Sequence, residues 1–312
     1  MVIPRLGVVL ALDTRSATTW GLDLCTNTWR LMHPHREPML EESGEVRLLY
    51  AEHLDEVVAL AGSVDQWVYS VAENSWSLLS GSAWVQPVDG WRYTPDLVYD
   101  PARDRIVARD STWGGQLWSY DLASMAWEEV PVRGRSPRDL ELPGSAEVAS
   151  AMAYDPAVDG YVLAMVPVWP ESARTAATWV FDPDSRRWLR RSAAPPRLTF
   201  TWIGTVVDVP VAYDESAGRT VIMSPMGGTP LALYDAAGDR WEVRDGEPGW
   251  GAAGASREGY QILYDPVNER LVVLGGLEAH GSEDYEPASS VWAYDVALDE
   301  WTVLVPPDSG WR

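Results

Sequence analysis

Three histidines and a scatter of loop acids are the residues of this chain best suited to chemistry. His33 and His35 alternate in His-Pro-His, and His280 shares one stretch with Glu278, Glu283, Asp284 and Glu286. Two imidazoles plus a carboxylate hold a divalent transition metal, so His33, His35 and His280 form a candidate metal set. The plainer alternative is three separate, solvated histidines, with no cofactor at all. Glu171 and His280 are the candidates for acid–base work: each stands in a long connection beside arginine or acidic neighbours. A Glu or His tuned near neutrality serves as base while an arginine holds a substrate carboxylate.

A second set is arginine and tryptophan. Arg15, Arg36, Arg92, Arg135, Arg138, Arg174, Arg197 and Arg257 fall in connections, as do Trp84, Trp91, Trp113, Trp169, Trp202 and Trp250. The guanidinium forks onto paired oxygens and the indole stacks on a flat or sugar-like face. The same two residue types dominate protein–protein hot spots. The plainer alternative is that they fold over long loops and pair with the excess acids.

Other chemistries are excluded or unsupported. The chain has no lysine, which removes Schiff-base catalysis and the phosphate-loop lysine. Cys25 is the single cysteine, so no intrachain disulfide forms, and its setting among apolar strand residues predicts a small buried hydrophobe. Gly249 to Gly254 matches G-x-G-x-x-G in spacing but lies between repeat units rather than between strand and helix. No C-x-x-C, H-E-x-x-H, G-x-S-x-G or EF-hand loop is present. The formal charge of -22 repels phosphate backbones and anionic lipid, so nucleic acid and membrane are poor partners. No apolar run reaches membrane-spanning length. Leu6 to Leu12 imitates a signal peptide, but the repeat register explains it better, so a soluble domain is expected with its compartment open.

The elements that must position these residues are repeated. Trp29, Trp76, Trp127, Trp188, Trp241 and Trp301 each close the same pattern, and nine residues earlier stand Trp20, Trp67, Trp118, Trp179, Ala232 and Trp292. Between them comes an aromatic or Leu, then usually Asp, as in Tyr120-Asp121 and Tyr294-Asp295. Upstream, Tyr99-Asp100, Tyr154-Asp155, Tyr213-Asp214 and Tyr264-Asp265 precede turns such as DPARDR and DPVNER, with Tyr50-Ala51 a degraded copy. Asp and Pro suit such turns by capping and by a preset φ. Each unit reads as four short strands, and no window keeps a helical period.

Six such units predict an all-β chain: a six-bladed β-propeller of four-stranded antiparallel blades, forming a single domain over 1–312. The blades fall near 1–32, 46–80, 96–131, 150–192, 209–245 and 260–305. Aligning Arg5 with Arg105 and Arg270 makes Leu6 to Leu12 the second strand of blade one. The first blade is then expected to lack its innermost strand, because no Tyr-Asp precedes it. The connections after the second and fourth strands are long and unalike, which puts them on one face of the scaffold, where sites gather. The repeat aromatics and turn acids are expected to pack and cap, not to catalyse.

At VVLGG…VWAYDVALDEW, residues 272–301, the chain resembles a Kelch-repeat propeller, the superfamily that includes galactose-oxidase-like domains. The Gly275-Gly276 doublet of that pattern is kept in the last copy and degraded elsewhere. The resemblance implies that the long-connection face is the ligand face. It does not carry over a copper-radical site, since the only cysteine belongs to the repeat. The nitrile-specifier E-x3-D-x3-H motif and the sialidase Asp-box are also missing. Two functions remain from this reading. One is a recognition module for a polar or carboxylate-bearing small molecule, a glycan or a protein. The other is an epimerase, mutarotase, lyase or cyclase working in a central pocket of the same face, as six-bladed Kelch-like mutarotases do.

Overall fold

The computed structural model describes every residue except 14–15, 39–45, 62–65, 79–95, 110–115, 123, 125, 138–147, 168–175, 199–208, 225–230, 245, 247–255, 280–284 and 308–312. The described residues form six four-stranded antiparallel sheets and one small three-stranded sheet. They fall into two compact units, Met1–Val132 and Arg133–Arg312.

The first unit holds three sheets. Sheet one is β1 (Val2–Ile3), β2 (Val8–Asp13), β3 (Thr18–Asp23) and β4 (Thr28–Leu31). Sheet two is β5 (Val46–Ala51), β6 (Glu56–Ala61), β7 (Gln66–Ser70) and β8 (Ser75–Leu78). Sheet three is β9 (Asp96–Asp100), β10 (Arg105–Arg109), β11 (Leu117–Asp121) and β12 (Ala126–Val130). In the second unit, sheet four is β13 (Val148–Asp155), β14 (Gly160–Pro167), β15 (Ala177–Asp182) and β16 (Arg187–Arg190). Sheet five is β17 (Val211–Asp214), β18 (Arg219–Met223), β19 (Leu231–Asp235) and β20 (Arg240–Arg244). The last repeat is interrupted. A short β21 (Ser256–Glu258) precedes β22 (Gln261–Asp265) and β23 (Arg270–Leu274), and β24 (Leu277–Ala279) and β25 (Tyr285–Pro287) precede β26 (Val291–Asp295) and β27 (Glu300–Val305). Sheet six is β22-β23-β26-β27, and β21-β24-β25 make the small sheet.

Period-2 alternation explains why the second strands carry apolar residues on both faces. On β6, Val57 and Ala59 pack with Ile3 and Leu10 of sheet one, while Val58 and Leu60 pack with Ile106 and Tyr120 of sheet three. On β18, Val221 and Met223 meet Ile262 and Leu271 of sheet six, and Ile222 meets Ala164 and Val166 of sheet four. A strand covered on both faces has no polar side to offer.

The repeat aromatics stand opposite one another in register. Tyr69 pairs with Trp76, Tyr120 with Trp127, Phe181 with Trp188, Tyr234 with Trp241 and Tyr294 with Trp301. Their ring centroids lie 4.8 to 5.2 Å apart and tilted. Such pairs add about 0.5–1.5 kcal/mol beyond burial. The packing role expected of them is what the structure displays.

The short turns are closed by their own side chains. Asp Oδ1 accepts the N–H groups two and three residues on at Asp100, Asp182, Asp265 and Asp295. Five residues after each of eight repeat tyrosines, the turn ends in the left-handed region: at Gly218 and Glu269 after Tyr213 and Tyr264, and at Asp55, Asn74, Asp104, Asp159, Asp239 and Asp299 after the other six. There the tyrosine hydroxyl donates to the Asp or Asn oxygen, at 2.7 to 2.9 Å for Tyr50, Tyr69, Tyr99, Tyr154 and Tyr234. Asp and Asn tolerate this backbone better than other side chains, so one residue serves as both hinge and latch.

Two expectations are corrected. Sheet one does have a first strand: Val2 and Ile3 pair with Val9 and Val8. The turn is a 3-10 segment, Pro4–Leu6, ended by Gly7 at φ 61, whose N–H returns to the Pro4 carbonyl. It needs neither Tyr-Asp nor the usual loop length, so β2 begins at Val8 rather than Leu6. Cys25 is exposed, not buried. It sits in the β3–β4 turn, its N–H donating to Asp23 Oδ1 at 2.9 Å, and a turn side chain points outward.

Candidate functional site

A sheet strand can serve a ligand only where its ends are not already consumed by the fold. The first residues after the fourth strands of sheets one, three, four and five are consumed. Met32 and His33 give their carbonyls to Asn74 Nδ2, and His35 N–H donates to the Asn74 carbonyl at 3.0 Å. Arg133 N–H donates to Arg186 O at 2.8 Å. Ser192 N and Oγ, with Ala193 N, all donate to Asp239, and Arg191 reaches Tyr234 and Ala236. Arg244 pairs with Asp299 at 3.2 Å, and Trp301 Nε1 donates to Gly246 O. In each case the chain leaving one repeat is docked on the third-to-fourth-strand turn of the next sheet.

This docking decides where several candidates lie. Arg36 is exposed, its carbonyl accepts from Trp76 N, and its guanidinium sits 5.0 Å over the Trp67 ring. His33 and His35 are exposed on the same docked segment. Among the described residues no group of three His, Cys, Asp or Glu is placed to hold a metal ion. Arg135 and Arg197 are exposed. Glu171, His280, Arg15, Trp84, Trp91, Arg92, Trp113, Arg138, Trp169, Arg174, Trp202 and Trp250 lie outside the described residues.

Arg257 is different: it is 0% exposed. It sits on β21, opposite Glu278 of β24, which in turn faces Glu286 of β25. Its Nε donates to the Gly275 carbonyl at 2.7 Å, and its terminal nitrogens donate to Ser290 O and Oγ at 2.9 and 3.2 Å. Glu278 Oε1 lies 3.9 Å from the guanidinium. Burial pulls the Arg257 pKa down to about 10, against the opposing pull of Glu278. Beside it Tyr260 is buried, donates to the Ser224 carbonyl, and is pushed well above the ordinary tyrosine range by burial.

Ser290 is the hub, and its hydrogen bonds have one possible polarity. Arg257 and Trp292 Nε1 can only donate, so they occupy the hydroxyl's two lone pairs. The hydroxyl hydrogen is left for Glu278 Oε1, at 3.3 Å. Glu278 keeps its second oxygen without a partner among the described residues, and its side chain is 16% exposed.

The local sequence explains how the last repeat builds this network. Gly276 has φ +87, and a Cβ there would lie 2.3 Å from the Glu258 carbonyl. Only glycine lets the chain leave β23 pressed against 258–260 and start β24. Gly275-Gly276 was therefore the visible signal for this network. Ser290, Tyr260 and the inward turn of Arg257 were not visible, because they depend on pairings between residues up to 36 positions apart.

No known family model matches this chain, and no curated protein is similar to it at a significant level. The described residues include no helix long and apolar enough to cross a membrane.

Proposed function

We propose that the six four-stranded sheets are the blades of a Kelch-like six-bladed propeller acting as a recognition module. It binds a polar or carboxylate-bearing small molecule, a glycan or a protein through the arginines and tryptophans of its long connections. One observation supports this reading above the rest. The short turns and the described exits from the fourth strands spend their polar groups on the fold, as Asp239 does with four hydrogen bonds and an ion pair to Arg191. The long connections carry Trp84, Trp113, Trp169 and Trp250, which no repeat position requires. Thermal shift against a library of sugars, uronates and small carboxylic acids tests it. A ligand at a hundred times its Kd adds about 2.7 kcal/mol and raises Tm. That rise is expected to shrink in Arg174→Ala and Trp250→Ala. An undiminished rise in both variants moves the site off these connections.

A second reading is an epimerase, mutarotase, lyase or cyclase on the same connections, with Glu171 and His280 as acid and base. Glu258 is the observation in its favour: burial raises this half-buried carboxyl above its usual range, the direction that suits a general acid. Conversion of a bound ligand, followed by proton NMR, separates the two readings.

A further inference from the structure

We infer that the outer edge of sheet four is a docking surface, and that its partner is an acidic, extended segment of another protein. The inference goes beyond the recognition reading above, because the surface is built on a fourth strand, its turn and the exit docked on that turn.

The first argument is the pairing of charges. Acids outnumber cations by 46 to 24, and arginines elsewhere take up the acids beside them. Arg5 pairs with Asp55, Arg109 with Asp96, Arg219 and Arg240 with Asp235, and Arg270 with Asp265. On sheet four a group of arginines does not. Arg186, Arg187 and Arg190, at the start of β16 and along it, are exposed, as are Arg133 and Arg135 of the docked exit. Arg133 N–H bonds Arg186 O at 2.8 Å, and Arg187 Nη1 lies 3.9 Å from the point that a Cβ on Gly134 would occupy. Arg190 stands three residues further along the strand than Arg187, about 10 Å away. Among the described residues none of these five guanidinium groups pairs with a carboxylate. The acids of the same turn are Asp184 and Asp182, whose Oδ1 caps the turn by accepting from Asp184 N and Ser185 N.

The second argument compares the repeats. Two residues before the fourth-strand tryptophan, other described turns place Asn27, Asn74, Asp239 and Asp299 in the left-handed region; sheet four places Arg186 there at φ 56. Around the tryptophan, sheet four has Arg187 and Arg190 where sheet one has Thr28 and Leu31 and sheet two has Ser75 and Leu78. All three arginines are exposed, so packing requires none of them, and the first strains its own backbone.

The third argument selects the partner. A guanidinium forks onto carboxylate or phosphate alike, so the surroundings decide. Trp179, Phe181 and Trp188 are buried, which leaves β15, β16 and the exit at 133–137 without an exposed ring on which a base or sugar could stack. Leu189, 48% exposed between Arg187 and Arg190, offers an apolar contact that suits a peptide. A long polyanion would run past the patch onto a chain of charge -22. Screening at physiological salt acts within about 8 Å, so a short acidic segment meets the arginines ahead of that wider charge.

Fluorescence anisotropy on the full chain tests this with three labelled probes: a peptide of three Glu-Glu-Leu repeats, its Gln-Gln-Leu counterpart and a short oligothymidylate. The Glu peptide is expected to bind, and to bind less as salt rises. Arg187→Gln combined with Arg190→Gln is expected to weaken it about tenfold with Tm unchanged. Arg186→Asn is expected to weaken it while Tm holds or rises, which separates binding from folding. A Glu peptide bound no better than the Gln peptide, or bound equally by the variants, overturns the docking surface and leaves the recognition reading untouched. Oligothymidylate bound as tightly as the Glu peptide overturns the choice of an acidic peptide. Self-association of the protein alone, abolished by the same double change in sedimentation velocity, makes a second copy the occupant and overturns the assignment to another protein.

Discussion

The short-turn ends of the sheets and the far end of sheet six solve the same problem in opposite ways. Both must satisfy polar groups next to a packed core. At the turns the solution is local and repeated: an Asp caps the backbone, and a Tyr hydroxyl meets an Asp or Asn five residues on. Most of these bonds stay within one turn; Thr220 to Asp155 and Arg5 to Asp55 are among those that reach beyond it. At the far end of sheet six the solution is long-range and, among the described residues, occurs once. Arg257, Gly275, Glu278 and Ser290 converge from three stretches of chain. Repeated local chemistry builds a scaffold that survives drift in any one copy. A single distant network has no copy to replace it.

The largest expected effect breaks that network. Arg257→Ala leaves Glu278 without its counter-charge and the Gly275 and Ser290 carbonyls without their donor, and breaking a buried ion pair costs about 3–5 kcal/mol. Urea denaturation is expected to show a loss of this size in the second unit. A turn latch gives a smaller value. Tyr69→Phe removes one hydroxyl bond to Asn74, and is expected to cost about 1 kcal/mol. If the two losses are equal, the network is no more than another latch.

The Asp239 latch carries a pH signature of its own. Desolvation pushes its pKa up, but the combined hydrogen bonds from Ser192, Tyr234 and Ala193 outweigh it and hold the group at about 2, against an ordinary 3.8. A depressed folded pKa contributes stability above the unfolded value and loses it as pH falls through the folded one. Stability should therefore decline between about pH 4 and pH 2, and Asp239→Asn should flatten that limb. Equal slopes for the two proteins in acid denaturation would remove Asp239 from the account.

What the sequence revealed follows the same division. Strands, turns and the packing role of the repeat aromatics were legible because their chemistry sits at fixed short offsets: Tyr to Asp at one, Trp to Trp at nine; the tyrosine latch at five was not, because the Asp and Asn residues read simply as turn formers. The β1 strand was not, because Gly7 makes the reversal without any repeat residue. The exposure of Cys25 was missed by reading a turn residue as strand. Arg257 looked like a loop cation because nothing local marks Ser290 as its partner 33 positions away. His33, His35 and Arg36 keep exposed side chains, but their backbone is held from another repeat, His33 and His35 by the αL Asn74 and Arg36 by Trp76, pairings that no local pattern marks.

The smallest expected effect tests whether the latch rule is causal or merely recurrent. Sheet four departs from it: Phe181 replaces the tyrosine, and Arg186 occupies the left-handed position at φ 56. An arginine there bears the Cβ strain that Asp or Asn relieves, and no hydroxyl is present to be received. Phe181 stacks on Tyr161 at 5.8 Å and is buried, so a tyrosine keeps the ring contacts and adds only the oxygen. Arg133 N–H bonds the Arg186 carbonyl, which any side chain preserves. Phe181→Tyr combined with Arg186→Asn is therefore expected to gain about 1 kcal/mol, with either change alone giving less than half. Additivity of the two single changes in a double-mutant cycle would mean that hydroxyl and left-handed residue do not act as one device, and the turns would then owe their stability to the Asp caps.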